Sequence, residues 1–199
     1  MLGRNWRANA TKLHVGPQSR ALSATPAIME YRRTVAVRSP RPRSGPPEDI
    51  TLEIVDPESP MARAAVDRYF AELAERFPDG FEATDSAADE ASLRPPGGAF
   101  VVALRDGVVV GCAGLRSLAP EIGEVKRMWV DPDTRGLGLG SRLLRHLESL
   151  SAARGHRMIR LDTNDTLTEA IAMYRKRGYR DIERYNDNPY ARCWFEKEL

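Results

Sequence analysis

A mixed α/β sheet in a single domain over residues 48–199 is the fold class that this sequence predicts, and three observations carry it. Apolar runs with the period of a strand alternate along the chain with stretches of helical period. Two strands near the middle are joined by Asp106-Gly107, a strong signal for a two-residue hairpin. A strand ending at Asp131-Pro132 passes through a glycine-rich turn directly into an amphipathic helix. The chain has 199 residues, 42% of them hydrophobic, which suffices for a core and excludes a wholly disordered protein.

Thr51–Val55 alternates weakly and stops at Pro57, as a short strand does. Ser59-Pro60 then offers an N-cap followed by a proline at the first helical position. The helix it opens carries Ala64, Ala65, Tyr69 and Leu73 on one face and ends before Pro78. Residues 79–98 are polar and rich in Gly and Pro, and read as a loop with one helical turn at most. Ala99–Arg105 and Val108–Arg116 are the two hairpin strands, and Glu121–Val130 is a third. Leu143, Leu144, Leu147 and Leu150 give the next helix its apolar stripe, and Gly155 suits its C-terminal cap. Arg157–Thr163 alternates as a strand. Thr166-Leu-Thr-Glu169 has the pattern of a capping box, opening a helix with Leu167, Ala170, Ile171 and Tyr174 inside and Gly178 at its end. Tyr179–Glu183 and Ala191–Glu196 complete the sheet around an Asn/Asp-rich loop.

Charge is divided unevenly along the chain. The formal net charge is +2, yet residues 1–47 hold nine Lys or Arg against one acid, Glu30. Residues 48–199 hold 21 basic against 27 acidic side chains. A basic total is therefore no argument for nucleic-acid binding by the folded part. Residues 1–47 also contain six of the 14 prolines and read as a disordered basic tail. An organellar transit peptide and a dispensable extension both suit that composition. Cys112 and Cys193 have no CxxC partner, and His14, His146 and His156 show no metal-binding spacing, so neither a disulfide framework nor a metal is expected. No apolar run approaches the roughly 18 residues of a membrane span. The expectation is a soluble cytoplasmic protein, monomer or homodimer, without nucleic-acid or membrane partners.

The strand–turn–helix unit at Val125–Ser141 holds the most chemistry. Helix N-termini present unpaired N–H groups and a partial positive charge, so they attract anions. Gly136, Gly138 and Gly140 lack a Cβ and admit a phosphate close to the backbone, with Arg135 at the mouth. A turn whose glycines only permit tight geometry would look the same. No Lys-Ser or Lys-Thr follows the last glycine, against a Walker-A loop. Gly136, Gly138 and Ser141 approximate a dinucleotide fingerprint, with Asp162 near the offset of a ribose-binding acid. Against that rival, the preceding strand carries Glu124, Lys126 and Arg127, unlike a buried parallel strand.

At Arg135-Gly-Leu-Gly-Leu-Gly140 the sequence resembles the GNAT superfamily of acetyl-CoA-dependent N-acetyltransferases, whose pyrophosphate motif is usually Arg/Gln-x-x-Gly-x-Gly/Ala. Ala172-Met-Tyr-Arg-Lys-Arg-Gly-Tyr179 is similar to the family helix ending in Tyr-x-x-x-Gly-Phe/Tyr, and the order of elements over residues 50–199 agrees. The resemblance implies a GNAT-like acyl-CoA N-acyltransferase fold with a central, mostly antiparallel sheet flanked by helices. It also implies acetyl-CoA as co-substrate, with the pyrophosphate held by Arg135, Gly136, Leu137, Gly138, Leu139, Gly140 and Ser141. Pantetheine would pair with the strand at Met128, Trp129 and Val130, and the Asn164 side chain would touch the cofactor. Tyr174 matches the family tyrosine that protonates the departing thiolate; a core tyrosine on an apolar face is the plainer account.

Glu124 is the candidate base for the attacking amine, although a strand residue paired with Lys126 and Arg127 would carry the same sequence. Asn186, Asp187, Asn188 and Tyr190 are candidate acceptor contacts, with Asp187 drawing an ammonium; Asn and Asp also occur there for turn chemistry alone. Loops 79–98, 117–123 and 184–190 would set specificity. The expected activity is transfer of acetyl to a primary amine, on a small amine or amino acid in preference to a protein N-terminus or lysine, by direct attack in a ternary complex. A non-catalytic acyl-CoA sensor is the alternative of another class.

Overall fold

The structure, a computed structural model, describes residues 49–77, 80–82 and 87–199; the expected tail over residues 1–47 lies outside them. The chain enters at β1 (Ile50–Val55) and continues into α1 (Pro60–Arg76). Ser59 caps α1 as its sequence requires, its Oγ accepting from the Ala62 N–H at 3.3 Å with Pro60 behind it. A short α2 (Ala87–Ser92) lies within the expected loop. Three strands follow as a meander, β2 (Gly98–Arg105), β3 (Val108–Ala119) and β4 (Ile122–Val130). Asp106 and Gly107 both take positive φ, 51° and 75°, which matches the twist of the strands they join. Then come α3 (Leu139–Ala153), β5 (Met158–Thr163), α4 (Thr168–Lys176), β6 (Arg180–Asp181) and β7 (Cys193–Glu198).

The strands form one seven-stranded sheet in the order β1-β2-β3-β4-β5-β7-β6. Only β4 and β5 run parallel; every other neighbour is antiparallel. All of β2 is buried. Phe100, Val102 and Leu104 pack with Ala62, Ala65 and Val66 of α1, while Val101 and Ala103 belong with Leu143, Leu144 and Leu147 of α3. Alternation along one strand thus feeds two cores, with helices on both faces.

Two irregularities open the middle of this sheet. The β4–β5 pairing runs from Ile122↔Met158 to Glu124↔Arg160 and stops there. On its other side β4 carries a bulge: Cys112 faces Trp129 and Gly114 faces Lys126, so Arg127 and Met128 together oppose Ala113. Arg127 takes φ 51° at this point, a costly conformation for a residue with a Cβ. Beyond Glu124 the β4 edge facing β5 is left without a strand partner. A wedge results, and it locates the site.

Some local expectations do not hold. Thr166 and Glu169 make no capping box: the Thr166 N–H and hydroxyl both donate to Asn164 Oδ1, at 3.0 and 2.8 Å. Glu169 pairs with Arg76 at 2.9 Å, and α4 starts after Leu167 with no side-chain cap. An Asx turn has out-competed the cap. Residues 117–123 are not a free loop either, since β3 runs to Ala119 and turns tightly into β4, at the end of the sheet where β4 and β5 are still paired. The strand expected at Tyr179–Glu183 is reduced to the two residues of β6.

Candidate functional site

Two cavities occupy the wedge. One, of about 510 Å³, lies against the glycine-rich turn and α3; the other, of about 400 Å³, lies among β4, β5, α1 and the loop before β7. Tyr69, Met128 and Tyr174 line both, so the two spaces meet at these side chains.

The first cavity has the chemistry of an anion site. Gly138 is the N-cap of α3 in the left-handed conformation and supplies no side-chain cap. The first intrahelical bond from this end is Arg142 N–H to Gly138 C=O, at 3.0 Å, so the N–H groups of Leu139, Gly140 and Ser141 have no partner within the helix. Gly136 and Gly138 have φ of 79° and 80°, and a Cβ at either would meet nothing within 4 Å. Their openness leaves the backbone accessible to a phosphate. Leu137 is 38% exposed, whereas Leu139 is buried in the core beneath the turn. The Arg135 side chain does not project freely: its Nε donates to the Val130 carbonyl at 3.0 Å and its Nη2 pairs with Glu72 at 2.5 Å. Glu72 also accepts from the indole N–H of Trp129, at 2.9 Å. Burial pushes the Glu72 carboxyl up, but the hydrogen bonds from Arg135 and Trp129 outweigh it and hold the carboxyl below its ordinary range. Trp129 therefore serves as a buried brace between β4 and α1, and Val130 as an anchor for Arg135.

At the junction, Tyr174 is 5% exposed, and its hydroxyl approaches the Met128 sulfur at 3.8 Å. Burial raises its phenol above the ordinary value, and the nearby Asp162 carboxylate raises it further. Tyr69 on α1 is raised by the same two causes in the same order. Both phenols stay protonated at neutral pH and so keep a proton to donate.

The second cavity differs from its expectation in three places. Glu124 is fully buried and lines neither cavity. Its carboxylate accepts from Arg116 Nε at 2.5 Å and from the Tyr185 hydroxyl at 2.9 Å, which makes it a packing hub beneath the site. Asn164 does not face the first cavity; its Nδ2 donates to the Tyr190 carbonyl at 2.7 Å, and its Oδ1 serves Thr166. Asp187 points into solvent, paired with Arg184 at 3.0 Å.

Of the acids that do line the cavity, Asp89, Asp162 and Asp187, Asp162 has a side chain only 3% exposed. Lys126 Nζ and Asn186 Nδ2 each donate to its Oδ1 at 3.0 Å, and Asn188 Nδ2 donates to its Oδ2. Asn186 also accepts from the Trp194 indole at 3.0 Å. The Tyr190 hydroxyl accepts from the Glu82 N–H at 3.0 Å, and its ring lies 4.8 Å from Phe81 and 6.0 Å from Phe77, centroid to centroid. Asn186, Asp187, Asn188 and Tyr190 are thus all gathered at the cavity's edge, with the Asp187 carboxylate turned out to solvent.

Sequence reasoning considered Asp162 only for the rival dinucleotide fingerprint and missed it as an acceptor-site residue, together with Lys126, Tyr69 and the aromatic wall. The signal for Asp162 was an acid at the far end of a strand whose alternate residues, Ile159 and Leu161, are core. Among the described residues no helix is long and apolar enough to cross a membrane, and no group of three or more His, Cys, Asp or Glu could hold a metal.

The model of the acetyltransferase (GNAT) family matches residues 66–179. An IAA acetyltransferase of Azospirillum brasilense is 37% identical over 131 residues, spanning 62% of this chain and 82% of that protein. The N-alpha-acetyltransferase RimI of Mycobacterium tuberculosis is 35% identical over 125 residues, 61% of this chain and 77% of that one. Among solved structures, a GNAT family acetyltransferase from Elizabethkingia anophelis with acetyl-CoA bound has a TM-score of 0.55 at 17% identity, covering 76% of this chain and 99% of that one. At that identity the likeness speaks for the fold alone.

Proposed function

The chain belongs to the GNAT family of acetyltransferases and is an acyltransferase that uses acetyl-CoA; from that premise we propose that it acetylates the primary amine of a small molecule, by direct attack with both substrates bound. The observation that carries this reading is the junction of two cavities at Tyr69, Met128 and Tyr174. One cavity suits a phosphate-bearing donor, the other a small acceptor with a charged amine, and a group transferred between them crosses at Tyr174.

Acetyl-CoA supplies the activated thioester. The chain's part is to bind, orient and move protons. The N–H groups of residues 136–141 would take the pyrophosphate, and Arg135, already anchored on Val130 and Glu72, would stiffen the turn's entrance. The unpaired edge of β4 beyond Glu124 would accept the pantetheine arm as an added strand. An amide from the bulged segment near Met128 would polarise the thioester carbonyl. Tyr174, kept protonated by burial, would donate to the departing sulfur. Asp162, rather than the enclosed Glu124, would receive the amine's proton, directly or through a water.

Initial rates measured while both substrates are varied test the order of events. Lines that intersect are expected from direct attack, and parallel lines would reject it in favour of an acyl-enzyme. A panel of small amines and of peptides with free N-termini, read by thiol release, tests the acceptor. The RimI relative is the observation that favours peptides, and a clear preference for them over every small amine would overturn our reading.

A further inference from the structure

We infer that the acceptor is a zwitterionic α-amino acid with a large apolar or aromatic side chain, an inference that rests on the N-acetyltransferase reading above. The second cavity offers three different surfaces at once. The carboxylate of Asp162 lies close enough to Tyr174 and Tyr69 to raise both phenols, so its charge is felt at the junction where an attacking amine must arrive. It attracts the ammonium form and can take its proton.

Lys126 lies beside it. Its side chain is 27% exposed, and its ammonium, with three donors, donates to Asp162 at 3.0 Å and lies 3.8 Å from Glu124. The Arg116 guanidinium, also lining the cavity, is held by Glu124 at 2.5 Å. Asp89, paired with Arg116 at 3.4 Å, and Asp187 line the cavity too, so cations and carboxylates stand together there and suit a zwitterion whose anion lies one carbon from its amine. Lys126 takes the ligand's carboxylate while Asp162 keeps the amine.

The third surface is aromatic. Phe81 stacks within 5.4 Å of Phe70, 5.7 Å of Phe77 and 4.8 Å of Tyr190, so the wall is built from α1, the segment after it and the loop before β7. The bond between the Tyr190 hydroxyl and the Glu82 N–H ties those segments together. A wall of this kind would stack an apolar or ring-bearing side chain and give nothing to a short polar one. The volume of about 400 Å³ is within the range of small-molecule pockets.

The test compares phenylalanine, leucine and tryptophan with alanine, with phenethylamine and isoamylamine, and with phenylalaninamide, by kcat/KM. The free amino acids should exceed their decarboxylated or amidated partners by about tenfold or more, and phenylalanine should exceed alanine by a similar factor. Equal rates with and without the carboxylate would overturn the inference. In Lys126→Met the ratio of phenylalanine to phenethylamine should fall towards one; an unchanged ratio would overturn it. If that variant fails to fold, Phe81→Ala reads the other half: the phenylalanine-to-alanine ratio should collapse, and its persistence would refute the aromatic subsite. Acetyl-CoA binding is measured beside these rates by calorimetry. Failure to bind it sinks the enzyme reading itself, whereas binding with turnover of amines or peptides alone sinks only the amino-acid acceptor.

Discussion

Tyr174 joins the two halves of the site through one hydroxyl, which reaches the Met128 sulfur at 3.8 Å in a region where burial keeps the phenol protonated. Removing that oxygen should remove a proton donor and little packing. Tyr174→Phe is therefore expected to lower kcat by about 10²-fold, with the acetyl-CoA Kd from calorimetry changing less than about twofold. The sign of the pH effect follows from the direction of the shift. A phenol raised above its ordinary value loses its proton later, so kcat should show no descending limb from Tyr174 as pH rises to about 10, the ordinary tyrosine value. Glu124 behaves otherwise. Its carboxylate is sealed beneath the cavity against Arg116 and Tyr185, so Glu124→Gln should act on folding. Arg116 is a quarter exposed, which softens the loss to about 2 kcal/mol. Differential scanning calorimetry should show a melting point lower by about 4–8 °C. A pH–rate profile shifted with no loss of stability would restore Glu124 as the base. At this scale Tyr174 was legible because its spacing to Gly178 marks a helix and its end. Glu124 and Asp162 were not: which of two strand acids reaches the cavity depends on where β4 and β5 part, and no local pattern encodes that.

Between elements, the contact that most distinguishes this site is the one made by Asn164. It follows β5, turns the chain into α4 through Thr166, and holds the Tyr190 carbonyl at 2.7 Å. One short side chain thus fixes both the entry of the helix carrying Tyr174 and the loop that carries the acceptor wall. Asn164→Ala should raise the acceptor KM about tenfold, since loss of a partly buried hydrogen-bonding group costs about 1–1.5 kcal/mol, and leave the acetyl-CoA Kd near its original value. A larger effect on acetyl-CoA would return Asn164 to the cofactor contact suggested by the family resemblance. The elements themselves were readable where chemistry is local. Asp106-Gly107 demanded the hairpin, Ser59-Pro60 opened α1, and four leucines at helical spacing faced α3 inward. The expected capping box failed because Thr166 has two uses, and Asn164 two residues earlier offers its hydrogen bonds first.

For the molecule as a whole, a mixed sheet built on a three-strand meander was readable from the succession of elements, but the order of the strands, the parallel pair and the wedge were not. The wedge needs a bulge at Arg127 on one side of β4 and an early end to pairing on the other, and both are consequences of register across strands far apart in sequence. Charge obeys the same division between local and global. Residues 48–199 carry 27 acids against 21 bases, so an anionic nucleotide approaches a domain that repels it overall. What attracts it is confined to the start of α3, where bare N–H groups and the helix dipole act at contact distance. Short-range attraction inside a weakly repelling field should respond little to salt. We propose that residues 1–47, whose surplus is basic, take no part in this balance. Deleting residues 1–47 should therefore leave the melting temperature within about 2 °C, a change of no more than about 1 kcal/mol for a domain of this size. The acetyl-CoA Kd of the shortened chain should match that of the full chain at 50 and at 300 mM salt, within about twofold. A shortened chain that binds acetyl-CoA about tenfold more weakly at low salt, and equally at high salt, would show that the basic segment supplies long-range attraction after all.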